Sequence, residues 1–232
     1  MAFLDLLYPP HCAICLKSTP TGEHLCTTCR EKAPGISAPF CDTCSMPFSG
    51  QIDGAFTCPN CRERRFRFTC AVACYRSRDD VRELIHRFKY NGKVHLRSVL
   101  VDWLAETLED PRLQTPPCDR IVPVPLHSTR ERERGFNQAR ILAEGLARRR
   151  GIPLFDCMKR IRYTTTQTIF DRDERMENLR GAFQMRQHAD VRNLHLLLID
   201  DVLTTGSTVD ECARVLMNAG AASVRVATVA RA

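Results

Sequence analysis

The string LLLIDDVLTTGST, Leu196 to Thr208, leaves few architectures open to this chain. Leu196, Leu197, Leu198 and Ile199 run without a polar break, the pattern of a strand covered on both faces, as in a parallel sheet. Two adjacent carboxylates, Asp200 and Asp201, follow at the strand's carboxyl end, which is where sheets of this kind gather their ligands. A small-residue loop comes next, and then an amphipathic helix with Val209, Cys212, Ala213 and Leu216 on one face. Thr208 and Glu211 have capping-box spacing, and Gly220 is a natural stop.

The residue types name a chemistry. Thr204, Thr205, Gly206, Ser207 and Thr208 offer backbone N–H groups, short hydroxyls and a glycine that permits close approach. At a helix N-terminus such a loop suits an anion, and its size suits a monophosphate. Carboxylates beside a phosphate would repel it, so Asp200 and Asp201 fit sugar hydroxyls or a divalent metal better. The implied ligand is a ribose 5-phosphate with Mg2+ nearby. The loop is no Walker motif, since it lacks the Gly-Lys-Ser/Thr ending.

The same string resembles, without a gap, the motif by which type I phosphoribosyltransferases bind 5-phosphoribosyl 1-pyrophosphate (PRPP). The resemblance implies an α/β fold, a parallel sheet flanked by helices. It also implies that Asp200 and Asp201 serve catalysis by holding the ribose hydroxyls, and that Thr204 to Thr208 hold the 5-phosphate.

The N-terminal quarter reads differently. Of 13 cysteines, eight form four CxxC knuckles: Cys12/Cys15, Cys26/Cys29, Cys41/Cys44 and Cys58/Cys61. Zinc favours tetrahedral thiolate sites, and each knuckle supplies two ligands, so two structural zinc ions are expected. Sequential pairing gives two ribbons; a cross-braced pairing of first with third and second with fourth uses the same residues. We expect a small double zinc-ribbon domain, with four cysteines to each ion, over residues 1–65 and a phosphoribosyltransferase-like domain over residues 66–232. Cys70, Cys74, Cys118, Cys157 and Cys212 lack pairing spacing and read as small core residues.

Charge separates the two parts. Residues 1–65 hold six basic and six acidic side chains, so the net charge of +7 belongs to residues 66–232. A zinc module made to grip DNA phosphates is normally basic. Its exit departs from that neutrality, with Arg62, Arg64, Arg65 and Arg67 around Phe66 and Phe68. Arginine with aromatics suits single-stranded nucleic acid; the competing reading, which we favour, turns the two rings into the core of a first strand. No apolar run reaches the roughly 20 residues of a membrane helix, and the start lacks the basic n-region of a secretory signal. A cytoplasmic protein without membrane insertion is expected.

Strands are expected at Phe68 to Tyr75, Arg120 to Val124, Leu194 to Ile199 and Ser223 to Val229. Helices are expected at Asp79 to Tyr90, with Val81, Leu84, Ile85 and Phe88 inward, at Val94 to Leu108, and at Gly135 to Arg150, with Ala139, Leu142, Ala143 and Leu146 inward. Pro111 to Pro117 reads as a linker-like loop.

Two further segments carry a resemblance. VPVPLHSTRERERGFNQA, Val122 to Ala139, is similar to the signature of the ComF family, as is RELIHRFKYNGK, Arg82 to Lys93. Members of that family carry a phosphoribosyltransferase domain behind a zinc-ribbon region, and the resemblance covers nearly the whole chain. It implies a role in DNA uptake or utilisation, with DNA-uptake proteins or single-stranded DNA as partners beside PRPP. In the type I fold the loop after the strand at Val122 receives pyrophosphate, which points to Arg130 and Arg134, while Arg132 fits equally a solvated run with Glu131 and Glu133. Thr164 to Phe183 corresponds to the flexible catalytic loop, with Gln167, Arg175, Asn178 and Phe183 at the family spacing and Phe170 where an aliphatic is usual. If the chain catalyses, the resemblance implies displacement of pyrophosphate at the ribose C1, with Mg2+ on the leaving group. The alternative is a non-catalytic adaptor that senses PRPP or binds single-stranded DNA. No acceptor hood follows the last strand, so we expect one from residues before about 118, the zinc ribbons being one source.

Overall fold

The computed structural model describes residues 10–20, 23–52, 54–90, 94–163 and 179–232. Two short helices, α1 (Thr27–Lys32) and α2 (Pro59–Arg62), belong to the cysteine-rich part. Then come β1 (Ala71–Arg76), α3 (Asp79–Tyr90), α4 (Arg97–Glu106), α5 (Pro111–Gln114), β2 (Arg120–Pro123), α6 (Ser128–Arg134) and α7 (Gln138–Arg150). The chain continues through β3 (Met158–Arg160), β4 (Phe183–Met185), β5 (His195–Leu203), α8 (Ser207–Asn218) and β6 (Ser223–Arg231). Four strands form one sheet in the order β1-β6-β5-β2 with every pairing parallel, and β3 pairs with β4 antiparallel.

The apolar run at 196–199 is explained by what covers the sheet. Leu197 and Ile199 join a core with Val81, Leu84, Phe88, Trp103 and Leu142 from α3, α4 and α7. Leu196 and Leu198 face the other way, into a core with Val209, Cys212, Leu216 and Met158. With both faces covered, the alternation that marks a half-exposed strand disappears. The helical stripes read from sequence are buried as expected, Val81, Phe88, Leu142, Leu146, Ala213 and Leu216 all at 0% exposure.

Three expectations need correction. The helix expected from Gly135 starts later, at Gln138, because Gly135 takes a left-handed φ of 81° and ends a separate helix, α6, that was not expected. Asn137 then starts α7 by accepting from the Arg140 N–H, and Gly151, φ 68°, ends it. Pro111 to Pro117 is no linker: Asp110 caps the short α5, and the buried Arg225 donates to the Leu113 carbonyl at 2.9 Å. The capping box at Thr208 and Glu211 does not form, since Gly206 is the N-cap of α8 and Glu211 instead accepts from the Gly181 N–H at 2.7 Å.

The cysteine-rich part packs on the sheet. Backbone amides of Ala71 and Ile36 donate to the Thr43 and Cys74 carbonyls, and Arg112 donates to the Asp42 carbonyl at 2.8 Å and to Ser45 Oγ at 3.1 Å. Among the described residues, no helix is long and apolar enough to cross a membrane.

Candidate functional site

The eight knuckle cysteines form two groups, Cys12, Cys15, Cys26, Cys29 and Cys41, Cys44, Cys58, Cys61, with the sulfurs of each group within 4.8 Å of one another. The pairing is therefore sequential rather than cross-braced. A tetrahedral zinc–thiolate site with Zn–S near 2.3 Å requires sulfurs about 3.8 Å apart. Cys15 to Cys26 and Cys44 to Cys58 are both 3.7 Å apart, so the donor sets fit structural zinc. In the second group the Cys58 N–H also points at Cys41 Sγ, 3.4 Å away, as an amide does toward a thiolate.

Strand β5 runs past its apolar stretch and so carries both carboxylates in the sheet. Successive strand residues face opposite sides. Asp201, 5% exposed, pairs with Lys89 of α3, Oδ2 to Nζ 2.8 Å. Asp200 accepts from the Asp201 N–H at 2.9 Å. Burial pushes the Asp200 carboxyl up to about 7, with the neighbouring Asp201 charge adding to the rise and Lys89 and Arg160 opposing it. Burial alone would lower Lys89, but the attraction of Asp201 and then Asp200 keeps it above the ordinary lysine range. One ammonium thus serves two carboxylates.

Beyond Leu203 the chain turns through Thr204, Thr205 and Gly206 into α8. Gly206 sits at φ 84°, a left-handed value that disfavours side chains, and a Cβ there would lie 3.3 Å from the Phe66 ring. Thr205 Oγ1 meets Ser207 Oγ at 3.0 Å. Ser207 and Thr208 prove to be the first residues of the helix rather than loop residues, which adds their amides to the N-terminal set.

The exit of the second zinc group forms the back of this loop. Phe66 and Phe68 stack with centroids 4.7 Å apart, Phe68 is 3% exposed, and both approach Gly206. The Arg67 N–H donates to Asp210 Oδ1 at 2.6 Å in the first turn of α8. The buried Arg231 donates to the Leu203 carbonyl at 3.1 Å and reaches Cys44 Sγ at 3.9 Å. Both rings thus turn inward, Phe68 fully and Phe66 in part, but from the irregular segment ahead of β1 rather than from the first strand.

The arginines after β2 divide. Arg134 donates to Gln138 Oε1 and to the Tyr90 hydroxyl, both at 3.0 Å, with its guanidinium 4.8 Å from the Tyr90 ring. Arg130 lies over Tyr163, 5.5 Å to the centroid. Arg132 reaches Thr129 Oγ1 at 3.5 Å. Arg160, on β3, was not singled out by sequence. It is largely buried, and burial holds its guanidinium below the usual range, with Arg130 repelling and Asp200 attracting it. Gln167, Arg175 and Asn178 lie outside the described residues, as does Phe170; Phe183 is in β4, 4% exposed. Lys89 and Tyr90 fall in the RELIHRFKYNGK segment, which carried a resemblance but no assigned role; spacing alone gives no hint that Lys89 meets an acid 112 positions later.

Comparison with known proteins agrees with this geometry. Residues 3–62 match the double zinc ribbon domain, and residues 133–232 match the phosphoribosyl transferase domain. The chain is 32% identical over 205 residues to DNA utilization protein YhgH of Salmonella typhi, covering 87% of this chain and 88% of that one. It is 30% identical to competence protein F of Haemophilus influenzae, over 90% of both chains. Competence protein ComFC of Bacillus subtilis is 29% identical, over 90% of this chain and 85% of the relative.

Proposed function

The chain belongs to the ComF/YhgH family, and from that premise we propose that it binds PRPP at the carboxyl end of β5 and transfers the phosphoribosyl group to an acceptor, releasing pyrophosphate. The observation that carries the reading is the acid pair lying between a lysine counter-ion and the amide-rich turn into α8. Asp200 and Asp201 accept hydrogen bonds from the ribose hydroxyls and stabilise positive charge developing at C1. The amides and hydroxyls of Thr204 to Thr208 hold the 5-phosphate, where the helix N-terminus favours an anion. Arg130 and Arg134 face the pyrophosphate, and Arg134 exchanges its Tyr90 contact for the ligand. Mg2+, when bound, supplies charge neutralisation of the leaving group. Gln167, Arg175 and Asn178 belong to a loop that excludes water during the transfer. The zinc ribbons, residues 1–65, act as a structural unit beside the transferase-like residues 66–232, and the protein works in the cytoplasm.

Calorimetric titration with PRPP, ribose 5-phosphate and AMP, with and without Mg2+, tests the site. A Mg2+-dependent preference for PRPP is expected, and equal weak binding of all three would refute it. Pyrophosphate release that Asp200→Asn abolishes would establish turnover.

A second reading rests on the exposed Arg62, Arg65 and Arg67 at the ribbon exit and on the relatives' names, which tie them to DNA utilisation and competence. In that reading the protein is an adaptor that senses PRPP and holds single-stranded DNA through these arginines without base stacking on the buried Phe68. A salt-dependent DNA affinity lost with Arg62→Ala and Arg65→Ala, yet kept in Asp200→Asn, would favour it.

A further inference from the structure

The two cysteine groups use the same turn but seat it differently. The leading knuckle of each is followed by a non-glycine residue in the left-handed region, Leu16 at φ 62° after Cys15 and Ser45 at φ 55° after Cys44. Ser45 is 0% exposed: it donates to the Ala71 carbonyl at 2.9 Å and accepts from Arg112 at 3.1 Å. Leu16 is 67% exposed, so the tip of its turn stands in solvent. The sulfur-bearing residues follow suit. All four cysteines of the second group are buried, whereas in the first Cys15 is exposed and Cys26 half-buried. These two accessible cysteines come from different knuckles, and their sulfurs lie 3.7 Å apart.

A thiol that coordinates zinc is deprotonated, and the thiolate is the form that attacks an oxidant when it can be reached. We propose that Cys15 and Cys26 form an oxidation site, at which a peroxide closes a disulfide, releases the first zinc ion and loosens α3. Cys15 Sγ attacks one peroxide oxygen; an S–O bond forms, the O–O bond breaks, and the departing hydroxide takes up a proton to become water. Cys26 Sγ then attacks the sulfur of the resulting sulfenic acid, so that an S–S bond forms, the S–O bond breaks, and the second hydroxide leaves as water after protonation. Two electrons pass from the two thiolates to the peroxide. Cys12 and Cys29 alone remain for the ion, half the ligands a structural site uses.

The first group rests against α3. The Ala13 carbonyl accepts from Arg87 Nη1 at 2.7 Å, and Cys12, Ala13, Leu25 and Cys29 share a buried core with Val81, Leu84 and Phe88. Arg87 stands two residues before Lys89, whose ammonium pairs with Asp201. Small zinc modules owe their order to the metal, so loss of this ion removes the support on that side of the helix. The second group meets the turn into α8 instead, through Arg231 and Phe66, and its burial shields it. The consequence for ligand binding rests on the proposed PRPP site; the oxidation site itself does not.

The test treats the full zinc-loaded chain with hydrogen peroxide beside a chromogenic zinc chelator, and maps the cysteines by alkylation and mass spectrometry. One of the two ions is expected to leave, with Cys15 linked to Cys26 and the second group intact. Cys15→His keeps a ligand of the kind found in Cys3His sites but removes the accessible thiolate, so zinc content should hold while peroxide-driven release slows about tenfold or more. Hydrogen exchange at the amides of Arg87 to Tyr90 should quicken on oxidation while β5 and β6 stay protected. Affinity for PRPP with Mg2+ should fall about tenfold and return with a dithiol and zinc. Release of both ions together, of the second ion first or of neither overturns the site, as does release without the Cys15–Cys26 link or at an unchanged rate in Cys15→His. Loss of the first ion that leaves α3 exchange or PRPP affinity unaltered overturns the connection to Lys89. If the reduced protein does not bind PRPP at all, the binding reading fails by itself, and zinc release and exchange still decide the oxidation site.

Discussion

Replacing Lys89 by methionine keeps the apolar stem and removes the ammonium that pairs with Asp201. At 2.8 Å, and with an effective dielectric of about 20, the pair's Coulomb attraction is about 6 kcal/mol before desolvation. Breaking a buried pair costs about 3 to 5 kcal/mol, and the lysine side chain is 23% exposed, so the lower figure applies. About 3 kcal/mol corresponds to roughly two pH units in the ionisation of the acid pair. Asp200 already sits at about 7, and without Lys89 its carboxyl rises further. In the proposed site, binding of Mg2+ and PRPP draws on the ionised pair, so Lys89→Met should lose about 100-fold in affinity near neutral pH and recover most of it about two units higher. Calorimetry across that range, with Lys89→Arg as a charge-preserving control, reads the effect. A loss of equal size at every pH, or no loss at all, would refute the argument that Lys89 works by holding the carboxylates ionised.

The same acid pair governs stability in the ligand-free protein. Asp200 is raised from 3.8 to about 7, so between those values the folded state keeps a proton that the unfolded chain has released, and stability falls as pH rises through this window and levels off above it. About three units correspond to at most about 4 kcal/mol; Asp200→Asn should flatten the dependence of the urea midpoint on pH. Cys44→Ser should weaken inorganic phosphate binding more than Cys15→Ser, because Arg231 links Cys44 Sγ to the Leu203 carbonyl whereas Cys15 is exposed and belongs to the other zinc group; equal effects in a phosphate titration would break that link. Gly206→Ala forces a side chain into a left-handed φ at a cost of about 1 to 2 kcal/mol and presses on Phe66, so thermal unfolding should come earlier and phosphate affinity drop. Leu198→Ala, at 0% exposure between sheet and α8, should lower chemical stability by about 2 to 5 kcal/mol without changing the pH dependence of ligand binding.

How far the sequence disclosed this molecule depended on the range of the interaction. Elements set by local pattern were legible: α3 runs from Asp79 to Tyr90 as its stripe predicts, and the four CxxC knuckles announce their zinc groups. The role of Gly135 was harder: its left-handed φ ends α6, a polar helix without a buried residue and so without an apolar stripe to announce it, and α7 starts three residues later behind the Asn137 cap. Pro111 to Pro117 looked like a linker because what orders it, Arg225 bonded to the Leu113 carbonyl, comes from 112 residues away. The site divides in the same manner. Asp200, Asp201 and the turn from Thr204 to Thr208 are contiguous and could be read; Lys89 and Arg160 reach Asp201 and Asp200 only through the topology β1-β6-β5-β2 and the small β3–β4 hairpin.

Those distant residues have a physical necessity that the motif alone conceals. Two adjacent carboxylates at the end of a covered strand repel each other and lose hydration together. Unaided, the pair would hold a proton and present a donor where the proposed ribose contact needs an acceptor. Lys89 from one face and Arg160 from the other oppose that outcome, and both do so at a cost, since burial works against each cation as well. The turn into α8 has a parallel need, because a glycine at φ 84° has no side chain to hold it in place. Phe66, Phe68 and the Arg67 amide supply that support from the exit of the second zinc group. The ligand motif is therefore completed from both ends of the surrounding structure: α3 and β3 set the charge of the acids, and the zinc-ordered segment sets the shape of the turn.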